Sequence, residues 1–301
     1  MKLFRYTDVR EESYGVQVDD GPVLDLHTLS KVTEQPLATT LDELISSDKE
    51  TVNAIERAIR KSSAGQREKA RVETSKVRLL APIASPTKII CLGLNYRDHA
   101  AEQDKPPSEE PVIFMKPHTA VVGPEDSIVK PEFVRELDYE AELAVIIGKK
   151  GKDITIERAK AHIFGYTCFN DISARDIQFK DKQWTRGKSF DTFAPMGPCI
   201  TTGDQIGDPT DLWIRTRVNG ELRQNSSTRN MVLNIYQIVH ELSRVMTLEP
   251  YDVIATGTPA GVAFAMKPKP KFLSPGDIVE VEIENIGILR NKVVASSPHH
   301  D

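Results

Sequence analysis

Short apolar/polar alternations dominate the chain, and helical periodicity is confined to a few stretches. Residues 2–27 read as a β-meander, KLFRYT, YGVQVDD and PVLDLH, punctuated by Asp19-Asp20-Gly21-Pro22. Thr40 with Glu43, and Ser47 with Glu50, have capping-box spacing, and Val52, Ile55 and Ile59 then recur on one helical face. Near residue 78 the pattern changes: in RLLAPIASPTKII two prolines and a serine interrupt apolar residues, as at an interdomain crossing. This predicts a small N-terminal domain, 1–78, followed by a main domain, 79–301. The main domain should hold buried strands at 89–92, 165–170 and 253–255 and a helix over 155–162. It should also hold a hairpin at Asn219-Gly220, a helix with Ile235, Ile238, Val239 and Leu242 on its apolar face, and a last hairpin through Val279, Val281 and Ile283.

One stretch departs from a simple core pattern. Residues 135–149, RELDYEAELAVIIGK, read as a strand that places Asp138, Glu140 and Glu142 on one face and Tyr139, Ala141, Leu143 and Val145 on the other. Three acids on one face repel one another, so the face is either solvated or neutralised by a divalent cation. The following Leu/Val/Ile run continues into the core, which puts the acids where the strand leaves it.

Composition narrows the options. The chain has 301 residues, with 39 Lys+Arg against 44 Asp+Glu and a net charge of −5, giving no electrostatic footprint for nucleic acid. Cys91, Cys168 and Cys199 are far apart, which fits reduced thiols and not a disulfide or zinc scaffold. There is no apolar stretch of signal-peptide length in MKLFRYTD and no run of 18 apolar residues, so the cytoplasm, with no membrane partner, is the expected location.

Other candidate groups are scattered. His99 and Glu102 share a face if 97–103 is helical; the pair is either a general base with its orienting carboxylate or a surface contact. The charged, proline-rich segment 103–111 reads as a loop or lid. Asp171 follows a strand, where it is a ligand or a helix cap, and Gln178 lies on the helix-like segment after it. Lys188 lies in what reads as an irregular loop, WTRGKSFDTFAPMGP. Gly257, Thr258 and Gly261 form a turn that is either a carboxylate cradle or a plain β-turn. GxSxG, HExxH and GxGxxG are absent, and His299 and His300 at the terminus are too few for a metal site. What remains is oxygen chemistry, which favours a hard cation, Mg²⁺ or Mn²⁺.

Taken in order, GLNYRDHAAE, DYEAELAVIIG, GYTCFNDISARDIQ, WTRGKSFDTFAPMGP, RVNGELRQ and LEPYDVIATGTPAGV resemble the fumarylacetoacetate hydrolase family over most of residues 85–290. The resemblance implies a mixed, β-rich α+β fold, a β-sandwich roll, with the small N-terminal α+β domain found in many bacterial members, and a homodimer. It implies that Glu140, Glu142 and Asp171 bind Mg²⁺ or Mn²⁺, that His99 and Glu102 activate water, and that Lys188, Gln178, Gly257 and Thr258 serve the substrate. Asp138 is left as an outer-shell or surface residue, and the fourth aspartate ligand of the longer eukaryotic enzyme has no secure counterpart. The implied activity is cleavage of a C–C bond in a small 2-oxo acid, by acylpyruvate hydrolysis or oxaloacetate decarboxylation through a common pyruvate enolate. The alternatives are isomerisation or decarboxylation of homoprotocatechuate-pathway diacids, dehydration of a 2-oxo sugar acid, or a non-catalytic scaffold.

Overall fold

A run of seven residues with no exposed position, Ala141–Ile147, forms the middle of the molecule. The computed structural model describes residues 1–8, 11–46 and 49–296. The Ser47 capping box and the His299-His300 pair lie outside those residues. Leu143, Val145 and Ile147 pack into one hydrophobic cluster, whereas Ala144 and Ile146 pack into another. Apart from Glu142 the strand is apolar, as a sheet covered on both faces requires.

That strand pairs antiparallel with Ile163–Asn170 on one side and with Val253–Ala255 on the other. Val253–Ala255 pairs in parallel with Ile89–Gly93, which in turn pairs with Val112–Lys116. In the other direction the sheet runs through Ala194–Thr202 to Lys2–Thr7, Glu12–Gln17 and Leu24–Asp25, so the N-terminal meander extends the same eleven-stranded sheet. A second, five-stranded sheet carries the Asn219-Gly220 hairpin and the last hairpin. Its Ile214, Val281, Ile283 and Leu289 meet the first sheet in one cluster, which is the sandwich core. The architecture is therefore mixed, sheet-rich α+β, without a closed barrel.

Helices cover what the sheets leave open. Ile235–Val245 starts with an Asn234 capping box and buries Ile235, Ile238, Val239 and Leu242, each contributing roughly 1.5–3 kcal/mol. Thr40 and Glu43 exchange the predicted capping bonds, 3.2 Å each way. Ile55 is fully buried on the face expected from its spacing with Val52 and Ile59.

Two local expectations change. Residues 135–149 are not one strand: Leu137–Asp138 pairs with Ser173–Ala174 in a separate two-stranded ribbon, and Tyr139 and Glu140 bridge the gap before Ala141. The segment carrying Lys188 is not wholly irregular, since Trp184–Lys188 is a short helix packed against Arg175–Asp181. Gly187 permits that contact, because a Cβ there would lie 2.8 Å from the Gln178 amide nitrogen. Its lack of apolar periodicity hid a one-turn helix.

Candidate active site

The gap between the two strand pieces is where the acids gather. Glu140 lies in it, Glu142 is the second residue of the central strand, and Asp171 follows the neighbouring strand Ile163–Asn170. The Asp171 N–H donates to the Glu140 carbonyl over 3.0 Å, and Asn170 Oδ1 accepts the Glu140 N–H over 3.0 Å, which locks the two strand ends together. One oxygen from each of Glu140, Glu142 and Asp171 lies within 4.8 Å of the others, and all three residues are buried. These are the three acids expected to act as ligands, and the fold brings them to one place.

Buried like charges need counter-charges, and three cations supply them. Lys188 Nζ, almost completely buried, donates to Glu140 Oε2 at 2.9 Å and to Asp171 Oδ2 at 2.7 Å. Lys116 Nζ pairs with the other Asp171 oxygen and donates to the Ile172 carbonyl. Arg175 contacts Glu140 Oε1 at 2.6 Å and donates through Nε to Asp138 Oδ2 at 2.8 Å. Asp138 is consequently not a surface residue. It is fully buried and also accepts the Tyr139, Ala263 and Phe264 N–H groups. Lys116 and Arg175 carry no functional signal in the sequence: FMKP reads as a strand running into a Lys116-Pro117 turn, and SARD as the start of a helix. Only the fold pairs them with the acids.

Four buried carboxylates, Asp138, Glu140, Glu142 and Asp171, thus face three cations, Lys116, Arg175 and Lys188. Glu142 is the one without an ion pair among the described residues. Its Oε2 accepts the Gly257 N–H at 2.8 Å, and its Oε1 is buried with no hydrogen-bond partner. Burial, together with the Asp171 and Glu140 charges, pushes the Glu142 carboxyl well above the usual range. Burial also opposes ionisation of Glu140, but Lys188 and Arg175 outweigh it and hold that carboxyl low. Lys188 loses by burial and regains more from Asp171 and Glu140, so its pKa is raised. An orphaned carboxylate oxygen beside two others is a donor set that fits a hard divalent cation. The residues present therefore suit Mg²⁺ or Mn²⁺.

The second group sits across a cavity of about 100 Å³, lined by His99, Glu140, Arg175, Gln178, Lys188 and Thr258 among others. His99 lies on the predicted helix, Arg97–Glu102. Its Nδ1 is 2.6 Å from Glu102 Oε1, and its Nε2 is 2.9 Å from the Gln103 amide nitrogen. Lys105 Nζ donates to Gln103 Oε1 at 3.1 Å, so the Gln103 NH₂ faces His99 Nε2. That leaves Nε2 as the acceptor and the proton on Nδ1, directed at Glu102. Glu102 Oε2 in turn accepts the Gly261 N–H at 2.9 Å. The helix is docked: Ser226 donates to Asp98 over 2.6 Å, and Arg97 reaches the Met231 carbonyl.

The substrate-side residues divide. Gln178 Oε1 accepts from Arg175, which leaves its amide N–H groups for a ligand. Thr258 Oγ1 accepts from Gln224 Nε2 at 2.8 Å, and its own proton is left to donate. Gln224 is held by the Ala141 N–H and Thr216, and it too escaped notice within the hairpin motif RVNGELRQ. Gly257 adopts φ +94°, and its N–H is given to Glu142, so the glycine turn positions that carboxylate. Aromatic rings close the cavity: Phe114, Trp184, Phe179 and Phe264 line it, and a Cβ on Gly93 would fall 1.9 Å from the Trp184 ring.

The family described as Fumarylacetoacetate (FAA) hydrolase C-terminal matches residues 88–294, a span that contains every residue of this site. The chain belongs to the fumarylacetoacetate hydrolase family. A Xenopus laevis relative, oxaloacetate tautomerase fahd2, mitochondrial, is 52% identical over 222 residues, covering 73% of this chain and 69% of its own. Among solved structures, the fumarylacetoacetate hydrolase of psychrophilic Exiguobacterium antarcticum is 41% identical with a TM-score of 0.79, covering 98% of this chain and all of that one. Maleylpyruvate hydrolase from Sphingobium sp. SYK-6, in complex with manganese(II) and pyruvate, is 33% identical with a TM-score of 0.77, covering 99% and 100%. Members of this fumarylacetoacetate hydrolase family are enzymes acting on small organic acids. No helix among the described residues is long and apolar enough to cross a membrane.

Proposed function

We propose that this protein moves a proton on a short 2-oxo acid held with Mg²⁺ or Mn²⁺, with keto–enol interconversion of oxaloacetate as the leading reaction. The observation that carries the reading is the placement of His99. A histidine with Nδ1 against Glu102 and Nε2 against the Gln103 amide lines the same cavity as Glu140 and Lys188. The 52% identity to an oxaloacetate tautomerase supports the choice of substrate.

Glu140, Glu142 and Asp171 would hold the divalent ion, which when bound supplies a positive centre that draws electron density from the oxo group and its carboxylate. Lys188, Gln178 and Thr258 bind and orient the substrate oxygens. With the Gln103 amide turned away from it, His99 Nε2 takes the proton from C3, and the Glu102 carboxylate stabilises the imidazolium that results. The enol oxygen takes its proton from Lys188 or from water, and the His99 imidazolium returns the C3 proton through water to whichever group gave one up, so substrate and enzyme both keep their proton count. The aromatic wall keeps bulk water from the carbanionic carbon.

C–C bond cleavage is the second reading, favoured by the likeness to a maleylpyruvate hydrolase complexed with manganese and pyruvate. The same base would then deprotonate water for attack on the distal carbonyl, and the C–C bond would break to release a carboxylic acid and the pyruvate enolate. For oxaloacetate, loss of CO₂ would reach that pyruvate enolate without water. A homodimer, a cytoplasmic location and a division into 1–78 and 79–301 belong to this proposal too; light scattering and expression of 79–301 test the first and last.

The decisive experiment follows oxaloacetate enol decay, CO₂ release and acetylpyruvate hydrolysis side by side with Mg²⁺ or Mn²⁺. Metal-dependent acceleration of enol decay beyond the other two supports the leading reading. Faster acetylpyruvate hydrolysis would replace it with the second, and no turnover of any 2-oxo acid with metal binding intact would leave only a scaffold.

A further inference from the structure

We propose that Lys105 reads the distal carboxylate of a short 2-oxo diacid, and so makes this site selective for diacids over monoacids. The inference rests on the reading of the cavity as a 2-oxo acid site. Three cations line that cavity, Lys105, Arg175 and Lys188. Arg175 is committed to Asp138 and Glu140, and Lys188 to Glu140 and Asp171. Among the described residues Lys105 forms no ion pair, and its ammonium donates to the neutral amide oxygen of Gln103. A carboxylate can take the place of that amide and make a stronger, charge-assisted bond.

The side chain of Lys105 is exposed, but its backbone is fixed in place. The helix Arg97–Glu102 ends in a Schellman-type cap: the Asp104 N–H donates to the Ala101 carbonyl at 3.1 Å and the Lys105 N–H to the Ala100 carbonyl at 3.0 Å. Asp104 takes the left-handed conformation, φ +54°, that this cap requires, and Pro106 and Pro107 stop the helix from continuing. Lys105 is thereby folded back over the turn that carries His99. The cavity is small, about 100 Å³. A substrate anchored by its 2-oxo acid end at the acid cluster is soon at the rim, so a short diacid presents its second carboxylate where Lys105 stands.

The test is calorimetric binding of two probes to the Mn²⁺-loaded protein: 3,3-difluorooxaloacetate, which lacks a C3 proton, and pyruvate. Lys105→Met is expected to weaken the diacid about tenfold or more and to leave pyruvate within about twofold, with Lys105→Arg retaining most of the diacid affinity. An equal loss for both ligands, or no loss for either, would overturn the proposal. Because neither measurement needs turnover, a failure of oxaloacetate tautomerisation would remove the proposed reaction and leave diacid recognition standing. Failure of the metal-loaded protein to bind either probe would remove both.

Discussion

The acid cluster and the His99 helix face each other across one cavity but are built on opposite principles. Glu142 and Asp171 have no exposed surface, Glu140 and Lys188 almost none, and nearly every charge is held by two or more partners. On the other side Glu102 and Gln103 are half-buried, Lys105 is exposed, and single hydrogen bonds join them. In a low-dielectric interior a charge network must be complete, because one missing partner leaves an uncompensated charge. At a half-exposed helix end water can substitute, so residues there can differ at little cost in stability. The buried half therefore suits the chemistry common to several reactions, and the exposed half suits the choice among substrates.

The largest test of this contrast is Glu142→Ala. Losing the orphaned carboxylate should remove divalent-metal binding and lower activity by about 10³-fold or more, since the bound cation provides several kcal/mol. Mn²⁺ titration by paramagnetic resonance checks this, and a variant with intact metal affinity would refute the ligand assignment. Next comes His99→Ala, expected to cost ~10²–10⁴ in kcat while Mn²⁺ affinity stays unchanged. Parallel loss of metal binding would show that the two halves are not separable.

Arg175→Leu sharpens the stability side of the comparison. It strands Asp138 and Glu140 in the interior and should cost ~3–5 kcal/mol in urea unfolding. Lys105→Met, at the exposed end, should leave the same midpoint essentially unmoved. A comparable loss from both would erase the distinction between the buried and exposed halves.

The smallest effect is a pH dependence. The raised carboxyl of Glu142 means that the metal-free folded state holds a proton that the unfolded chain has released above the ordinary glutamate range. Its contribution to stability is therefore fully present below the unfolded value and declines as pH rises toward the folded one. Metal binding displaces that proton, so Mn²⁺ affinity should rise up to about tenfold per pH unit across the same window. Calorimetry in buffers of differing ionisation enthalpy should register proton release, and none would indicate that Glu142 is already ionised.

Much of this molecule was legible before its fold was known. The helical face of Ile235, Ile238, Val239 and Leu242, the Asn219-Gly220 hairpin, the 89–92 and 253–255 strands and the His99-Glu102 spacing follow from local rules. Those rules operate over a few residues, where backbone capping and side-chain period act. Less legible were the break after Asp138 and the helical turn at Trp184–Lys188. The first depends on a segment distant in sequence, since Leu137–Asp138 leaves the central strand to pair with Ser173–Ala174; the second depends on packing against the neighbouring helix Arg175–Asp181 and against Phe114.

By itself the sequence determined most of the element types, the six ordered motifs of a fumarylacetoacetate hydrolase family member, and the acids capable of binding a hard cation. Only the tertiary structure decided which cations answer those acids. Lys116, 55 residues from Asp171, and Arg175, 37 from Asp138, carry no local signal for their partners. Gly257 became a donor to Glu142 for the same reason, across a separation of 115 residues. Local rules govern short-range backbone geometry, whereas neutralising a buried charge is a demand on the whole fold and can be met from any point along the chain.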